Sequence, residues 1–166
     1  MDNILVEFNL INIIFYLFIF YYICYTCKYN YNIVENSNQS RNKTFICYNT
    51  NTFIKLTDQH EFETLTKLKH IPEVIDILGS RTYKRQEYIV MPYLEDWDRL
   101  CDIQSCSTKT LISLFIKISK GLKKIHENDV IHCDIKPANI LVSDSFDIVF
   151  IDFESTGGTS GYIAPE

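Results

Sequence analysis

The chain has 166 residues, 46% of them hydrophobic, with 16 Lys and Arg set against 21 Asp and Glu. That length holds one packed domain and not two. The net charge of −5, with basic residues dispersed along the chain, excludes a nucleic-acid partner bound through a basic face. The six cysteines, Cys24, Cys27, Cys47, Cys101, Cys106 and Cys133, are irregularly spaced and complete neither a zinc site nor a disulfide framework.

Residues 10–27, LINIIFYLFIFYYICYTC, are almost wholly apolar and carry no charge, close to the roughly 20 residues that cross a bilayer. Asp2 and Glu7 stand before the run and Tyr and Cys close it, which is not the pattern of a cleaved signal. Lys28, Arg41 and Lys43 follow, so the expectation is a single-pass membrane helix over 10–27 with the remainder in the cytosol, after a short tail 1–9. Residues 28–43, rich in Asn and Ser, read as a polar tether, and a folded domain is expected over 44–166.

Within that domain, TFICYNTNTFIKL predicts two short strands with a turn at Asn49 to Asn51. QHEFETLTKLKH, residues 59–70, predicts a helix with Phe62, Leu65 and Leu68 on one face. EVIDILGSRTYKRQEYIVMPYL predicts a strand, a turn at Gly79 and Ser80, and a second strand ending at Pro92. The spacing of Leu111, Leu114, Phe115, Ile118, Leu122 and Ile125 predicts a long helix, capped by Ser107. NILV and DIVFIDF, separated by SDSFD, predict a hairpin, and the Gly- and Ser-rich end predicts a loop. The fold class is α+β, with polar chemistry on loops that a rigid scaffold presents.

The polar island VIHCDIKPANILV carries that chemistry. Asp134, Asn139 and Asp152 are oxygen donors near the ends of the hairpin strands, and Asn139 and Asp152 flank it closely enough to share a hard cation such as magnesium. Lys136 can neutralise a phosphate, which leaves Asp134 to accept a proton or orient a hydroxyl.

HCDIKPANIL resembles the catalytic loop of eukaryotic-type protein kinases, H-R-D-x-K-P-x-N. IDFES is similar to the D-F-G segment, and GTSGYIAPE to the end of the activation segment. The K-P-x-N form is similar to the Ser/Thr branch. The resemblance implies a small β-rich N-lobe and a helical C-lobe, using ATP and Mg2+ to phosphorylate a protein substrate. It makes Asp134 the catalytic base and sets Lys136 on the γ-phosphate, with Asn139 and Asp152 on the metal. TFIKL resembles the V-A-I-K strand, which puts Lys55 on the α- and β-phosphates, paired with Glu61 or, as runner-up, Glu63. MPYL, with Met91 and Tyr93, is similar to the hinge that meets the adenine edge, and Asp98 lies within reach of the ribose. His132 resembles a structural residue of the family.

The pattern also departs from the family. No glycine precedes Lys55, where the family has its Gly-rich loop, and side chains there keep backbone from close approach to phosphates. Cys133 replaces the Arg that meets an activation-loop phosphate, and Glu154 replaces the Gly of D-F-G. The sequence closes on A-P-E, so an incomplete C-lobe is expected. Two rival readings accompany the kinase: a degenerate module that binds nucleotide or a partner kinase without transfer, and a small-molecule kinase, which the IAPE ending opposes.

Overall fold

A computed structural model describes residues 44–83, 85–153 and 158–162. The expected membrane span over 10–27, the tether over 28–43, Glu154 and the A-P-E segment lie outside the described residues. Among those described, no helix is long and apolar enough to cross a membrane.

Strands β1 (Thr44–Cys47) and β2 (Thr52–Thr57) form an antiparallel pair, joined through a 3-10 turn at Tyr48–Thr50. Asn51 closes that turn in the left-handed region, at φ 50°, where Asn is better tolerated than most residues. β2 pairs next with β4 (Gln86–Pro92), and β4 with β3 (Gly79–Tyr83), giving the antiparallel order β1-β2-β4-β3.

Helix α1 (Gln59–Leu68) leaves β2 at once, because Asp58 caps it by accepting the Glu61 backbone N–H at 2.8 Å. Leu65 and Leu68 turn into the core. The helix stops two residues short of the sequence expectation, at Leu68 rather than His70.

Gly79 and Ser80 lie inside β3, and the chain reverses at Arg85, which takes φ 63°. Residues 74–78 form no strand: Val74 makes one isolated bridge to Phe150, and the Ile75 N–H donates to the Phe150 carbonyl at 3.1 Å. Val74, Ile75 and Ile77 are buried in a connector across the core, while Leu78 is exposed, so the apolar character of the three reflects burial and not a sheet ladder.

A second antiparallel sheet, β5-β6-β7, combines the expected hairpin, β6 (Ile140–Ser143) and β7 (Ile148–Phe150), with a short strand β5 (Trp97–Arg99). Helix α2 (Thr108–Glu127) packs against β7, and Ser107 caps it by accepting the Thr110 N–H at 3.1 Å. Leu114, Gly121 and Ile125 form its buried line. Gly121 belongs there because the helix passes so close to the hairpin that a Cβ would stand 2.7 Å from Phe150 Cε2.

Leu111 and Phe115, expected on the buried face, are 44% and 62% exposed. The apolar stripe of α2 is wider than the narrow sheet it meets. One apolar cluster runs from Leu65 and Leu68 through Ile89 and Met91 to Leu114, Ile125, Phe150 and Phe153. Burial of each such side chain stabilises by about 1.5–3 kcal/mol. The cluster ties both sheets and both helices together and sets the positions of the loops between them.

Candidate active site

Lys55 lies on β2, 7% exposed, with two carboxylates at its ammonium. Glu61, from the first turn of α1, accepts from Nζ at 2.9 Å, and Asp152, just past β7, accepts from it as well. Residues so near in sequence meet because the Asp58 cap starts α1 immediately after β2, so that Glu61 falls back over the strand. Glu63, the runner-up, is exposed and accepts instead from Gln59. Thr57 donates to the second Glu61 oxygen at 2.8 Å, a contact the sequence reading did not anticipate.

Burial pulls the Lys55 pKa down, but the Glu61 and Asp152 carboxylates outweigh it and hold the ammonium above the usual lysine range. Lys55 is therefore a fixed cation at neutral pH.

A second knot forms on the loop between α2 and β6. Lys136 Nζ donates to Asp134 Oδ2 and to the Thr159 hydroxyl, each at 2.7 Å. Asn139, 4% exposed, donates through Nδ2 to the Asp134 carbonyl and to Oδ2, each at 3.0 Å. Asp134 Oδ1 is buried with no hydrogen-bond partner among the described residues. Burial raises the Asp134 pKa, but hydrogen bonds from Lys136 and Asn139, with the Lys136 charge, hold it below the ordinary carboxylate range. The group is an ionised carboxylate with one unused acceptor oxygen.

His132 fixes this loop from beneath. Its ring is 1% exposed, tilted against Phe153 at a centroid distance of 4.4 Å and edge-on to Phe150 at 6.1 Å. Nδ1 accepts the Asp134 backbone N–H at 3.3 Å, so Nε2 carries the proton and donates to the Ile151 carbonyl at 3.0 Å. Burial lowers its pKa, which suits a neutral structural ring. His132 thus links the segment bearing Asp134 to the one bearing Asp152. Cys133 and Asp152 on either side take left-handed conformations, at φ 67° and 71°.

Asn139 and Asp152 stand at the same end of the β6–β7 hairpin, where the Ile151 N–H donates to the Asn139 carbonyl at 3.0 Å. With Nδ2 given to Asp134, Asn139 keeps its amide oxygen. Asp152, its side chain 35% exposed, keeps the oxygen that Lys55 does not use. One amide oxygen and one carboxylate oxygen fit a hard divalent cation. Met91 is buried on β4, Tyr93 follows that strand with its ring edge-on to Tyr48 at 5.6 Å, and Asp98 is exposed on β5. Thr159 was missed. Its motif was read from the sequence, but its contact with Lys136 spans 23 residues and has no local signature.

The family model described as the protein kinase domain matches residues 34–166. This chain belongs to the protein kinase family. The kinase fold thus accounts for the β-sheet lobe, the capped α1 with Glu61, and the loop bearing Asp134. Among curated relatives, a probable serine/threonine-protein kinase of Dictyostelium discoideum is 33% identical over 109 residues, 64% of this chain and 16% of that protein. A probable serine/threonine-protein kinase of Clostridium perfringens is 30% identical over 112 residues, 57% of this chain and 16% of that protein. The phosphorylase b kinase gamma catalytic chain, liver/testis isoform, of Bos taurus is 29% identical over 109 residues, 58% of this chain and 27% of that protein. The aligned part is therefore a minor share of each of these relatives.

Proposed function

We propose that this kinase domain transfers the γ-phosphoryl group of ATP to a serine or threonine hydroxyl of a protein. The observation that carries the reading is the partnerless Asp134 Oδ1, held ionised beside Lys136 while Lys55 is fixed between Glu61 and Asp152. Asp134 orients the substrate hydroxyl and takes its proton as the oxygen–phosphorus bond forms. The bond from the γ-phosphorus to the β,γ-bridging oxygen breaks, and ADP leaves. Lys136 lies against the γ-phosphoryl oxygens and Lys55 against the α- and β-phosphates, so charge moves between groups already neutralised by fixed cations. A magnesium ion held by Asn139 and Asp152 would supply further neutralisation of the phosphate oxygens. Thr159 keeps Lys136 in place.

The match of the family model and the names of the relatives support this reading. A second reading, a module that binds nucleotide or a partner kinase without transfer, is favoured by the absence of glycine before Gly79. The test takes the full chain with Mg·ATP and a generic basic protein. Labelling that is lost in Asp134→Ala, with nucleotide binding retained, is the expected result. Binding without labelling in the wild type would refute transfer. The apolar run 10–27 is proposed as a membrane anchor, and carbonate extraction that releases the full chain from membranes would refute it.

A further inference from the structure

Phe53 stands two residues before Lys55 on β2, and strand alternation puts both side chains on one face. That face is the cleft side, because Lys55 reaches Glu61 and Asp152 from it. Phe53 lies opposite Met91 on β4 and Ile46 on β1. Directly opposed residues project to the same side of a sheet, so the cleft face carries Ile46, Phe53 and Met91 beside the Lys55 cation. Met91 is 6% exposed, and the half-buried Phe53 ring packs against the core cluster.

A nucleotide with its phosphates at Lys55 and its base at the Met91–Leu94 segment that resembles the hinge would run along β2 in the direction of Phe53. Two strand residues cover roughly 7 Å, which brings the ring to the base end of the cleft. In the V-A-I-K pattern that TFIK resembles, this position carries a methyl group. Here it carries a phenyl ring.

We infer that Phe53 fills the base end of the cleft, so that the site takes its donor by the polyphosphate and discriminates little among bases. The inference rests on the phosphate-binding reading of Lys55 and Asp152 above and adds which part of the donor is recognised. Its consequence is a nucleotide site in which most of the affinity comes from charge. The ring keeps the purine from the surface it would otherwise stack on.

The test is calorimetric titration of the full chain with Mg·ATP, Mg·GTP and Mg·tripolyphosphate. In the wild type the three dissociation constants are expected within about threefold of one another. Phe53→Ala opens the slot and should tighten Mg·ATP by about tenfold or more, while Mg·tripolyphosphate changes by less than about twofold. Phe53→Val, which preserves strand propensity, should move in the same direction and serves if the alanine variant fails to fold. Ile54→Ala, on the opposite face of the strand, should leave the ratios unchanged.

Wild-type Mg·ATP bound about tenfold tighter than tripolyphosphate would overturn the inference. Weaker or unchanged ATP binding by both Phe53 variants would do the same. If Asp152→Ala abolishes binding that proves base-selective, only the role of Phe53 falls. If no ligand binds the wild type or either Phe53 variant, the phosphate site falls and this inference with it.

Discussion

Replacing Gly121 by alanine measures how tightly helix α2 is drawn onto the hairpin that carries Asn139 and Asp152. In an exposed helix interior the change would stabilise by about 1 kcal/mol. Here the new Cβ would lie 2.7 Å from Phe150 Cε2 and 3.2 Å from Glu73 Cβ. Carbon atoms pack best near 3.5–4.0 Å, so ring and helix must separate by about 1 Å. Phe150 is fully buried against His132, and a gap opened there is felt along the core. Overpacking of this kind costs about 1–3 kcal/mol, which offsets the helix gain and leaves a net loss of about 1 kcal/mol. For a domain of this size that lowers the melting temperature by about 3–6 °C. Thermal denaturation followed by circular dichroism gives the readout, with Ser119→Ala on the exposed side of α2 as control. The control should be neutral or slightly stabilising. Gly121→Ala as stable as Ser119→Ala would refute the close approach, and a Phe150→Leu background that removes the penalty would support it.

Lys55→Met leaves Glu61 and Asp152 facing each other without their cation, and should destabilise by about 3 kcal/mol or more by chemical denaturation. Full retention of stability would show that the ion pair contributes nothing. His132 has its folded pKa below the unfolded value near 6.5, so the unfolded chain takes up the proton first. Stability should therefore fall as pH drops through about 6.5 toward the folded pKa and level off below it, at up to about 1.4 kcal/mol per pH unit. The His132 share of this slope should be lost in His132→Asn, and a slope unchanged in that variant refutes the assignment. Asp134, held below the usual carboxylate range, should stay ionised, so protonation of this residue should not limit phosphoryl transfer at any pH above about 4. An acid limb near pH 6 in the wild-type rate profile would contradict this. Ser107→Ala should cost about 1 kcal/mol through the lost cap of α2, read as a shift in the urea midpoint.

The parts of this molecule that local chemistry specifies were legible in the sequence. Ser107 sits where a cap belongs, the hairpin around SDSFD has its turn residues, and Asp134, Lys136 and Asn139 lie within one turn of chain. The Lys55–Glu61 pair came from the resemblance of TFIKL to the V-A-I-K strand; the short chain between the two residues counted against it, and the Asp58 cap meets that objection by starting α1 directly after β2. Other features are settled by packing. The Gly79–Ser80 pair carries a turn signal, but those two residues are drawn into β3 opposite Val90 and Ile89, and the reversal moves to Arg85. Leu111 and Phe115 have the period of a buried face, yet which side of α2 is covered depends on where Phe150 meets Gly121. Thr159 could not be assigned a role from spacing, because its contact with Lys136 requires the chain to fold back across the loop.

The Lys55 ammonium joins halves of the molecule that are far apart along the chain: Glu61 lies six residues away and Asp152 ninety-seven. Moving β2 away from the segment after β7 would draw Asp152 from this buried cation. Opening is thus coupled to the loss of one of the two carboxylates at that cation, with Glu61 left to pair it. An arriving polyanion could substitute for the departing carboxylate, which would make the ligand itself the lubricant of the hinge.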